Sequence, residues 1–352
     1  LLEPSNEDLA QRLGLTLAAE RGYYDLAIVG GGPAGLAAAI YAAREGIDTV
    51  IIERSAPGGQ AGVTARIDNY PGFPDGIGGA ELADRFIEQA RRSGVEIVEG
   101  VSVQHVAPEG EDVRVVLASG QEICAHAILI ATGSTYRRLG VPGEEDFIGA
   151  GVHFCATCDG PFYAGAEEIL VVGGGNSGAE EAIFLSRFAQ RVRIIDRNAV
   201  LKASALLQAK LASSDRFIVH TETEVVAIEG EGRLATVRAR NRTTGEEFTW
   251  RPVAVFVFVG LDPNSGFLRD AIILDQRGMV VTDDRYATSL PGVYAAGDVR
   301  RGATKQLGAA VGEGIAALLS IREHLRAHAH VPEALDGAAG GFDPAVLPLA
   351  RE

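Results

Sequence analysis

Two segments of this 352-residue chain repeat one pattern, and the repeat limits the possible folds more than any other feature. In each, a short apolar strand leads into a glycine-rich turn, a helix and a second strand that ends in an acid. The first runs from Tyr23 to Glu53 and the second from Ile169 to Asp196. Strand–helix–strand is the unit of a parallel sheet. The sequence therefore predicts an α/β fold with two Rossmann-like, three-layer ββα nucleotide-binding domains, the second inserted into the first.

The first glycine turn has the composition of a dinucleotide-binding turn. Gly30 permits the tight turn, Gly32 lets a pyrophosphate approach the backbone, and Gly35 lets the helix pack closely on the strand. The helix N-terminus stabilises the negative pyrophosphate, and Glu53 ends the next strand, where an acid binds ribose hydroxyls. Because strand, turn, helix and acid occur in register, the pattern indicates a dinucleotide site.

The second turn, GGGNSG at 173–178, is followed by Asp196 at the same spacing as Glu53 follows Gly30. A carboxylate there bonds the 2′-hydroxyl of NADH and repels the 2′-phosphate of NADPH. Arg197 and Lys202 are close enough in sequence to keep NADPH open as the donor. A degenerate copy of the motif that serves only packing is the alternative.

Cys155 and Cys158 form a C-x-x-C pair that Asp159 follows directly. A structural zinc ion typically needs four ligands. The third cysteine, Cys124, lies far from this pair in the sequence, and we interpret His153 as a packing or surface residue. A redox dithiol is therefore favoured over zinc, and we predict no metal. Only a thiolate attacks disulfides, and Asp159 is placed to carry the proton that exchange requires.

Composition excludes several classes of function. The net charge of −15 argues against binding nucleic acid or an anionic membrane surface. The longest apolar runs are shorter than a membrane span needs, and the first 20 residues do not have the pattern of a signal peptide. Three cysteines in the whole chain do not make a disulfide scaffold, so we expect a reducing, cytoplasmic location.

From Tyr24 to about Leu325 the chain resembles the low-molecular-weight thioredoxin reductases, flavoproteins with a FAD domain and an inserted pyridine-nucleotide domain. The matching segments are GGGPAGLAAAIYAAREG from residue 30, GGQ (58–60), DNYPGF (68–73), ATGS (131–134), HFCATCDG (153–160), GGGNSGAEEA (173–182), AAGDVR (295–300) and KQLGAAVGEG (305–314). The position of CATC-Asp between the two glycine turns is the specific part of the resemblance.

The resemblance implies an enzyme that passes electrons from NADH or NADPH through FAD and the dithiol to a thioredoxin-like protein. Cys158 would lie nearest the flavin, Cys155 would attack the protein substrate, and Asp159 would be the general acid–base. In this family the inserted domain rotates between two poses, and the Gly/Pro-rich segments 138–143 and 260–264 are where such a hinge would lie. A homodimer is also expected from the family.

The residue and domain predictions follow from these motifs and the resemblance. The residues predicted to bind FAD are Gly30, Gly32, Pro33, Ala34, Gly35, Glu53, Arg54, Gly59, Gln60, Asn69, Val103, Ala131, Thr132, Gly133, Gly297, Asp298, Lys305, Gln306 and Leu307. Those predicted to bind the pyridine nucleotide are Gly173, Gly175, Asn176, Ser177, Gly178, Asp196, Arg197 and Lys202. The predicted domains are an N-terminal extension (1–21), a FAD-binding domain (22–140 and 262–328), a pyridine-nucleotide-binding domain with the dithiol (141–261) and a C-terminal tail (329–352).

Two departures from the family pattern leave alternatives open. NADPH users carry a basic H-R-R-x-x-x-R run, where this chain has DRNAVLK at 196–202, and they often have alanine at the position of Gly178. The two ends extend beyond the family core and fit a fusion or a subfamily variant. The alternatives are a flavin-dependent dithiol oxidase, a thioredoxin reductase with a ferredoxin-type donor, and a non-enzymatic flavin redox sensor.

Overall fold

The computed structural model describes residues 16–64 and 66–327. The described residues divide into a first compact unit (16–61, 83–133 and 265–327) and a second (62–64, 66–82 and 134–264). Residues 1–15 of the predicted N-terminal extension and the predicted tail 329–352 lie outside the described residues.

The described residues form both helices and strands. The helices are α1 (Pro33–Arg44), α2 (Gly59–Gly62), α3 (Gly79–Arg92), α4 (Ala156–Asp159), α5 (Asn176–Leu185), α6 (Ala205–Ala212) and α7 (Leu307–Ala327). The strands are β1 (Tyr23–Val29), β2 (Thr49–Ile52), β3 (Glu96–Val98), β4 (Val103–Glu109), β5 (Asp112–Leu117), β6 (Glu122–Ile130), β7 (Ser134–Tyr136), β8 (Val152–His153), β9 (Ala166–Val172), β10 (Ala189–Ile195), β11 (Phe217–His220), β12 (Thr223–Gly230), β13 (Leu234–Asn241), β14 (Glu247–Trp250), β15 (Ala254–Val257), β16 (Leu261–Pro263) and β17 (Val293–Ala295).

In the first unit a parallel sheet in the order β3-β2-β1-β6 lies between helices and an antiparallel meander. The long strand β6 pairs antiparallel with β5 near its start and parallel with β17 near its end. Side chains alternate across β1, so that Leu26 and Ile28 pack towards the helices while Ala27 and Val29 pack towards the meander. This arrangement buries both faces of the sheet.

The second unit repeats this three-layer design. Its parallel sheet has the order β11-β10-β9-β15-β8, and β12, β13 and β14 form an antiparallel sheet. On β9, Ile169 and Val171 belong to the cluster under the helices, and Leu170 and Val172 to the cluster under the antiparallel strands. The predicted α/β class with two Rossmann-like domains is thereby confirmed.

The segment 62–82 groups with the second unit, whereas the sequence analysis placed it in the FAD-binding domain. Its backbone closes on itself through the paired hydrogen bonds between Ile67 and Ile77, at 2.8 and 2.9 Å. Because the segment joins no sheet, it carries no strand pattern from which its unit could be predicted.

Both glycine turns begin where the first strand of a parallel sheet ends. The Gly30 N–H donates to the Ile52 carbonyl at 2.9 Å, and the Gly173 N–H donates to the Ile195 carbonyl at 2.8 Å. Each turn therefore lies at the carboxyl edge of its sheet, the edge at which open α/β sheets bind ligands. In the part of the chain that the structure describes, no helix combines the length and apolarity needed to cross a bilayer.

Candidate redox and nucleotide-binding sites

The first glycine turn leaves room for a ligand at one position and none at the two others. Gly30 has φ +110°, and a Cβ there would lie 2.5 Å from the Ala131 carbonyl oxygen. A Cβ at Gly35 would lie 2.0 Å from the Gly30 carbonyl oxygen. At Gly32, in contrast, a Cβ would meet no described atom within 4 Å. The backbone at Gly32 is therefore open to a pyrophosphate, as the motif predicts.

Helix α1 presents its N-terminus at this opening. Gly32 is its N-cap, where no described side chain bonds the first amide groups, and Pro33 occupies the first turn. Gly59 approaches from a second loop, since a Cβ there would be 3.1 Å from the Gly32 Cα. Uncapped amides at a positive helix end suit an anionic diphosphate, so the residues of this turn fit the pyrophosphate of FAD.

Glu53 is buried and fixed beside the turn. Its Oε2 accepts the Gly31 N–H at 2.8 Å, and its Oε1 accepts the Ser55 N–H at 2.9 Å and hydroxyl at 3.0 Å. A carboxylate has further lone pairs, so these bonds orient Glu53 without using up its capacity for ribose hydroxyls. The neighbouring Arg54 is exposed.

The segment at Gly297 and Asp298 meets the start of α1. Gly297 has φ +74°, and a Cβ there would be 3.1 Å from the Ala34 Cβ. The Gly297 N–H donates to Glu313 Oε2 at 2.8 Å, and Arg300 forms a two-point ion pair with the same carboxylate. Sequence reasoning missed Glu313 and Arg300 as supports of this turn, although both lie inside the segments that carry the resemblance.

Asp298 and Lys305 form a half-buried polar pair on this segment. Burial raises the pKa of Asp298, although the charge of Lys305 opposes the shift. Burial likewise lowers the pKa of Lys305, whose Nζ donates to the Asp298 backbone carbonyl at 3.3 Å. Lys305 has φ +58°, a conformation that residues other than glycine rarely adopt and that is often found at functional sites. Gln306 and Leu307 continue from it into α7.

For the other residues predicted to bind FAD, the structure gives their position and exposure, and their role stays a prediction. Ala131 contacts the Gly30 turn, and Thr132 and Gly133 continue from it. Gln60 is exposed on α2, and Val103 packs against the core cluster beneath the meander. Asn69 belongs to the segment 62–82 of the second unit.

The second glycine turn has the same geometry as the first. A Cβ at Gly173, where φ is +125°, would lie 2.4 Å from the Phe258 carbonyl oxygen, and one at Gly178 would lie 1.9 Å from the Gly173 carbonyl oxygen. At Gly175, the N-cap of α5, a Cβ would meet no atom of the described residues within 4 Å. Asn176 and Ser177 are exposed in the first turn of α5. This turn therefore offers a diphosphate the same opening.

Asp196 is buried at the end of β10 and held on both oxygens. Its Oδ2 accepts the Gly174 N–H at 2.6 Å, and its Oδ1 accepts the backbone and side-chain N–H groups of Asn198 at 2.7 and 2.6 Å. Arg197 and Lys202 are exposed beside it. Sequence reasoning missed Arg242, whose Nη1 donates to the Arg197 carbonyl at 3.1 Å.

Cys155 and Cys158 are joined by a disulfide bond at the start of α4. Cys155 is the N-cap residue, and its sulfur accepts the Cys158 N–H at 3.2 Å. The Asp159 N–H donates to the Cys155 carbonyl at 3.1 Å, which fixes the acid next to the pair. Both cysteines are half-buried. The pair is thus a disulfide held in a short turn with a carboxylic acid beside it.

His153 is buried beneath this turn rather than on the surface, so of its two predicted roles the packing role is the correct one. Its ring packs on Phe256, with centroids 5.2 Å apart. It also makes polar contacts that the sequence did not indicate: Nδ1 lies 3.4 Å from Asp159 Oδ2, and Nε2 lies 2.6 Å from the Tyr163 hydroxyl.

Comparison with known proteins places these sites in a family. The chain belongs to the family described as pyridine nucleotide-disulphide oxidoreductase, whose model matches residues 24–314. It is 38% identical over 307 residues to a thioredoxin reductase of Bacillus subtilis (strain 168), covering 87% of this chain and 96% of the relative. It is 39% identical over 318 residues to a bifunctional thioredoxin reductase/thioredoxin of Mycobacterium leprae (strain TN), covering 90% and 69%.

A solved structure agrees with these relatives. The thioredoxin reductase from Streptococcus pyogenes MGAS5005 aligns with a TM-score of 0.82 at 39% identity, covering 87% of this chain and 99% of that one. The predicted resemblance, the oxidoreductase class and the use of FAD with a pyridine nucleotide are confirmed by the family. The chain is a FAD-dependent disulfide reductase, and the oxidase, ferredoxin-type and sensor alternatives are not favoured.

Proposed function

We propose that this enzyme transfers electrons from NADH or NADPH, through FAD and the Cys155–Cys158 disulfide, to a thioredoxin-like protein. The observation that carries the proposal is the disulfide at the start of α4 with Asp159 fixed beside it. The relative from Mycobacterium leprae, which is both a thioredoxin reductase and a thioredoxin, supports a thioredoxin-like substrate.

The first unit is the proposed FAD-binding domain and the second the proposed pyridine-nucleotide-binding domain. In support, the turn at Gly32 has the Asp298 and Lys305 segment against it, whereas the turn at Gly175 has the fixed carboxylate of Asp196 beside it. Asp196 favours NADH as the donor because its negative charge lies where a 2′-phosphate would bind. Arg197 and Arg242 are the cations that would oppose this preference.

FAD, when bound, supplies the two-electron exchange between the nicotinamide and the disulfide. In the reduced pair the Cys155 thiolate attacks one sulfur of the substrate disulfide, forming a Cys155–substrate disulfide and releasing one substrate thiolate. Asp159, holding the proton that left Cys155, gives it to that thiolate. Asp159 then takes the proton of the Cys158 thiol, and the Cys158 thiolate attacks Cys155 Sγ, which re-forms the Cys155–Cys158 bond and releases the second substrate sulfur as a thiolate that Asp159 protonates. The dithiol thus loses two electrons and, through Asp159, two protons, and the substrate gains them.

The sulfur contacts fit these roles. The Cys158 N–H points at Cys155 Sγ, and a hydrogen-bond donor favours the anionic form of a thiol. Cys155 would therefore be the attacking thiolate, as the resemblance implies.

We also propose a homodimer located in the cytoplasm. A twofold homodimer is the commonest oligomer of soluble enzymes. A chain with a functional dithiol and one further cysteine suits a reducing compartment.

Anaerobic stopped-flow reduction tests the electron path. The bound flavin is mixed with NADH or NADPH, and oxidised bacterial thioredoxin is then added. We expect bleaching of the flavin, faster with NADH, and return of the flavin colour as thioredoxin is reduced. Failure of both nucleotides to bleach the flavin would remove the proposed donor, and rapid oxygen uptake without thioredoxin would favour an oxidase.

A further inference from the structure

The contacts of His153 connect the redox turn to a buried tyrosine. His153 lies on β8, and its side chain is 8% exposed. Asp159 ends α4, and Tyr163 ends the 3-10 helix Gly160–Tyr163 that follows directly. One short stretch of chain therefore places a carboxyl group and a phenol on opposite nitrogens of one buried imidazole.

The phenol determines which nitrogen carries the proton. The Tyr163 hydroxyl is 2.6 Å from Nε2. Burial, and to a smaller extent the charge of Asp159, raises the pKa of Tyr163, so its hydroxyl stays protonated. Where the phenol O–H donates to Nε2, that nitrogen is the acceptor and Nδ1 carries the N–H. Nδ1 lies 3.4 Å from Asp159 Oδ2, within reach of an ion pair or of a small movement to a hydrogen bond.

Packing fixes the imidazole in this orientation. The ring lies against Phe256, with centroids 5.2 Å apart, and meets the Tyr163 ring edge-on at 5.4 Å. Phe256 is fully buried on β15, the strand that pairs with β8. The imidazole therefore has little freedom to turn its Nδ1 away from Asp159.

We propose that His153 is a positioning residue for Asp159: its Nδ1–H holds the carboxyl group in the orientation used for proton transfer at the dithiol, and Tyr163 fixes the required tautomer. This inference rests on the proposed function, since Asp159 acts only when the dithiol reduces a protein disulfide. The titratable groups observed in contact with the His153 ring are Asp159 and Tyr163. In enzyme sites, a catalytic side chain is often oriented by a hydrogen bond from a neighbouring residue that does not itself react.

Two substitutions at one position separate positioning from packing. His153→Leu keeps a buried apolar side chain and removes both polar contacts. His153→Asn restores an N–H donor near the position of Nδ1 while lacking an imidazole. We expect His153→Leu to lower kcat for thioredoxin reduction about tenfold, with KM unchanged, and His153→Asn to recover most of that loss. Tyr163→Phe, which keeps the ring and loses the hydroxyl, should lower kcat about threefold.

Asp159→Asn provides the coupling test. If His153 acts through Asp159, adding His153→Leu to Asp159→Asn should lower kcat by a factor of less than about two compared with Asp159→Asn alone. The pH profile of kcat should also change in His153→Leu. Phe256→Leu is the packing control, because it disturbs the same ring face without removing a polar contact, and its pH profile should match that of the wild type.

The outcomes distinguish this inference from the proposed function. Thioredoxin reduction by the wild-type holoenzyme tests the function itself. With that established, equal kcat in His153→Leu and wild type would overturn the inference. Independent, multiplying effects of His153→Leu and Asp159→Asn would overturn it as well. In all the His153 and Tyr163 variants, flavin reduction by the nicotinamide should keep its wild-type rate, and a loss there would instead assign His153 a structural role.

Discussion

At the scale of single residues, the glycines divide into those that the fold needs and those that the ligand needs. Gly30 and Gly35 face backbone atoms at distances no Cβ tolerates, whereas Gly32 faces open space. The sequence motif predicted this division, because each glycine of a dinucleotide turn has its own steric reason. The same division recurs at Gly173, Gly178 and Gly175.

Gly30→Ala and Gly32→Ala should therefore fail in different ways. Gly30→Ala combines positive φ with a backbone clash and should lower the free energy of unfolding of the FAD-free protein by about 2 kcal/mol or more. Gly32→Ala should leave that stability nearly unchanged and weaken FAD binding, because its methyl group occupies the space of the pyrophosphate. Denaturation of the FAD-free proteins and FAD titration measure the two effects. Equal stability losses in the two variants would contradict this assignment.

Asp196 is the residue on which we propose that donor preference depends. Asp196→Asn keeps an acceptor for the Gly174 N–H, gives up the one for Asn198, and removes the charge that we propose to face a 2′-phosphate. We expect the ratio of kcat/KM for NADPH to that for NADH to rise about tenfold. Steady-state kinetics with the two nucleotides measure the ratio, and Asp215→Asn, which removes the same charge from an exposed acid of the same unit, serves as a control that should not alter it. An unchanged ratio would show that Asp196 does not lie at the ribose.

At the scale of elements, the structure joins α7 to the turn at Gly297 through one ion pair. Arg300 and Glu313 have side chains only 16% and 13% exposed, and Glu313 also accepts the Gly297 N–H. Arg285 and Glu323 form an ion pair on the same unit at 71% and 55% exposure. Buried pairs cost far more to break than exposed pairs, because an unpaired charge is left behind.

Glu313→Gln should accordingly destabilise the protein by about 3 kcal/mol and lower FAD affinity, since the Gly297–Asp298 turn loses its anchor. Glu323→Gln should change stability by less than about 0.5 kcal/mol and leave FAD binding intact. Thermal unfolding with and without added FAD compares the two. Similar effects of both substitutions would exclude a special role for the Arg300–Glu313 pair.

The elements also show where prediction from sequence succeeds. The strands before both turns, the two helices that follow, and the acids that end β2 and β10 were all predicted, because apolar runs and glycine turns are local signals. Two other features were not predicted: the hydrogen bond from Gly297 to Glu313, and the contact between His153 and Asp159. Each depends on packing between separate elements. The grouping of segment 62–82 with the second unit was not predicted for the same reason: membership of a unit is a tertiary property.

At the scale of the whole molecule, both units have the same three-layer design. They differ in the segments that carry the proposed chemistry of each unit. The first unit adds the Asp298–Lys305 segment, and the second adds the C-x-x-C turn with its acid and histidine. The proposed electron path consequently requires two separate two-electron acceptors in one chain, a flavin and a disulfide.

Anaerobic reductive titration of the FAD-loaded protein with dithionite counts these acceptors directly. The wild type should consume about two equivalents of two-electron reductant per flavin, one for FAD and one for Cys155–Cys158. The Cys155→Ser/Cys158→Ser variant should retain FAD and consume about one. Consumption of a single equivalent by both proteins would contradict the claim that the disulfide exchanges electrons with the flavin.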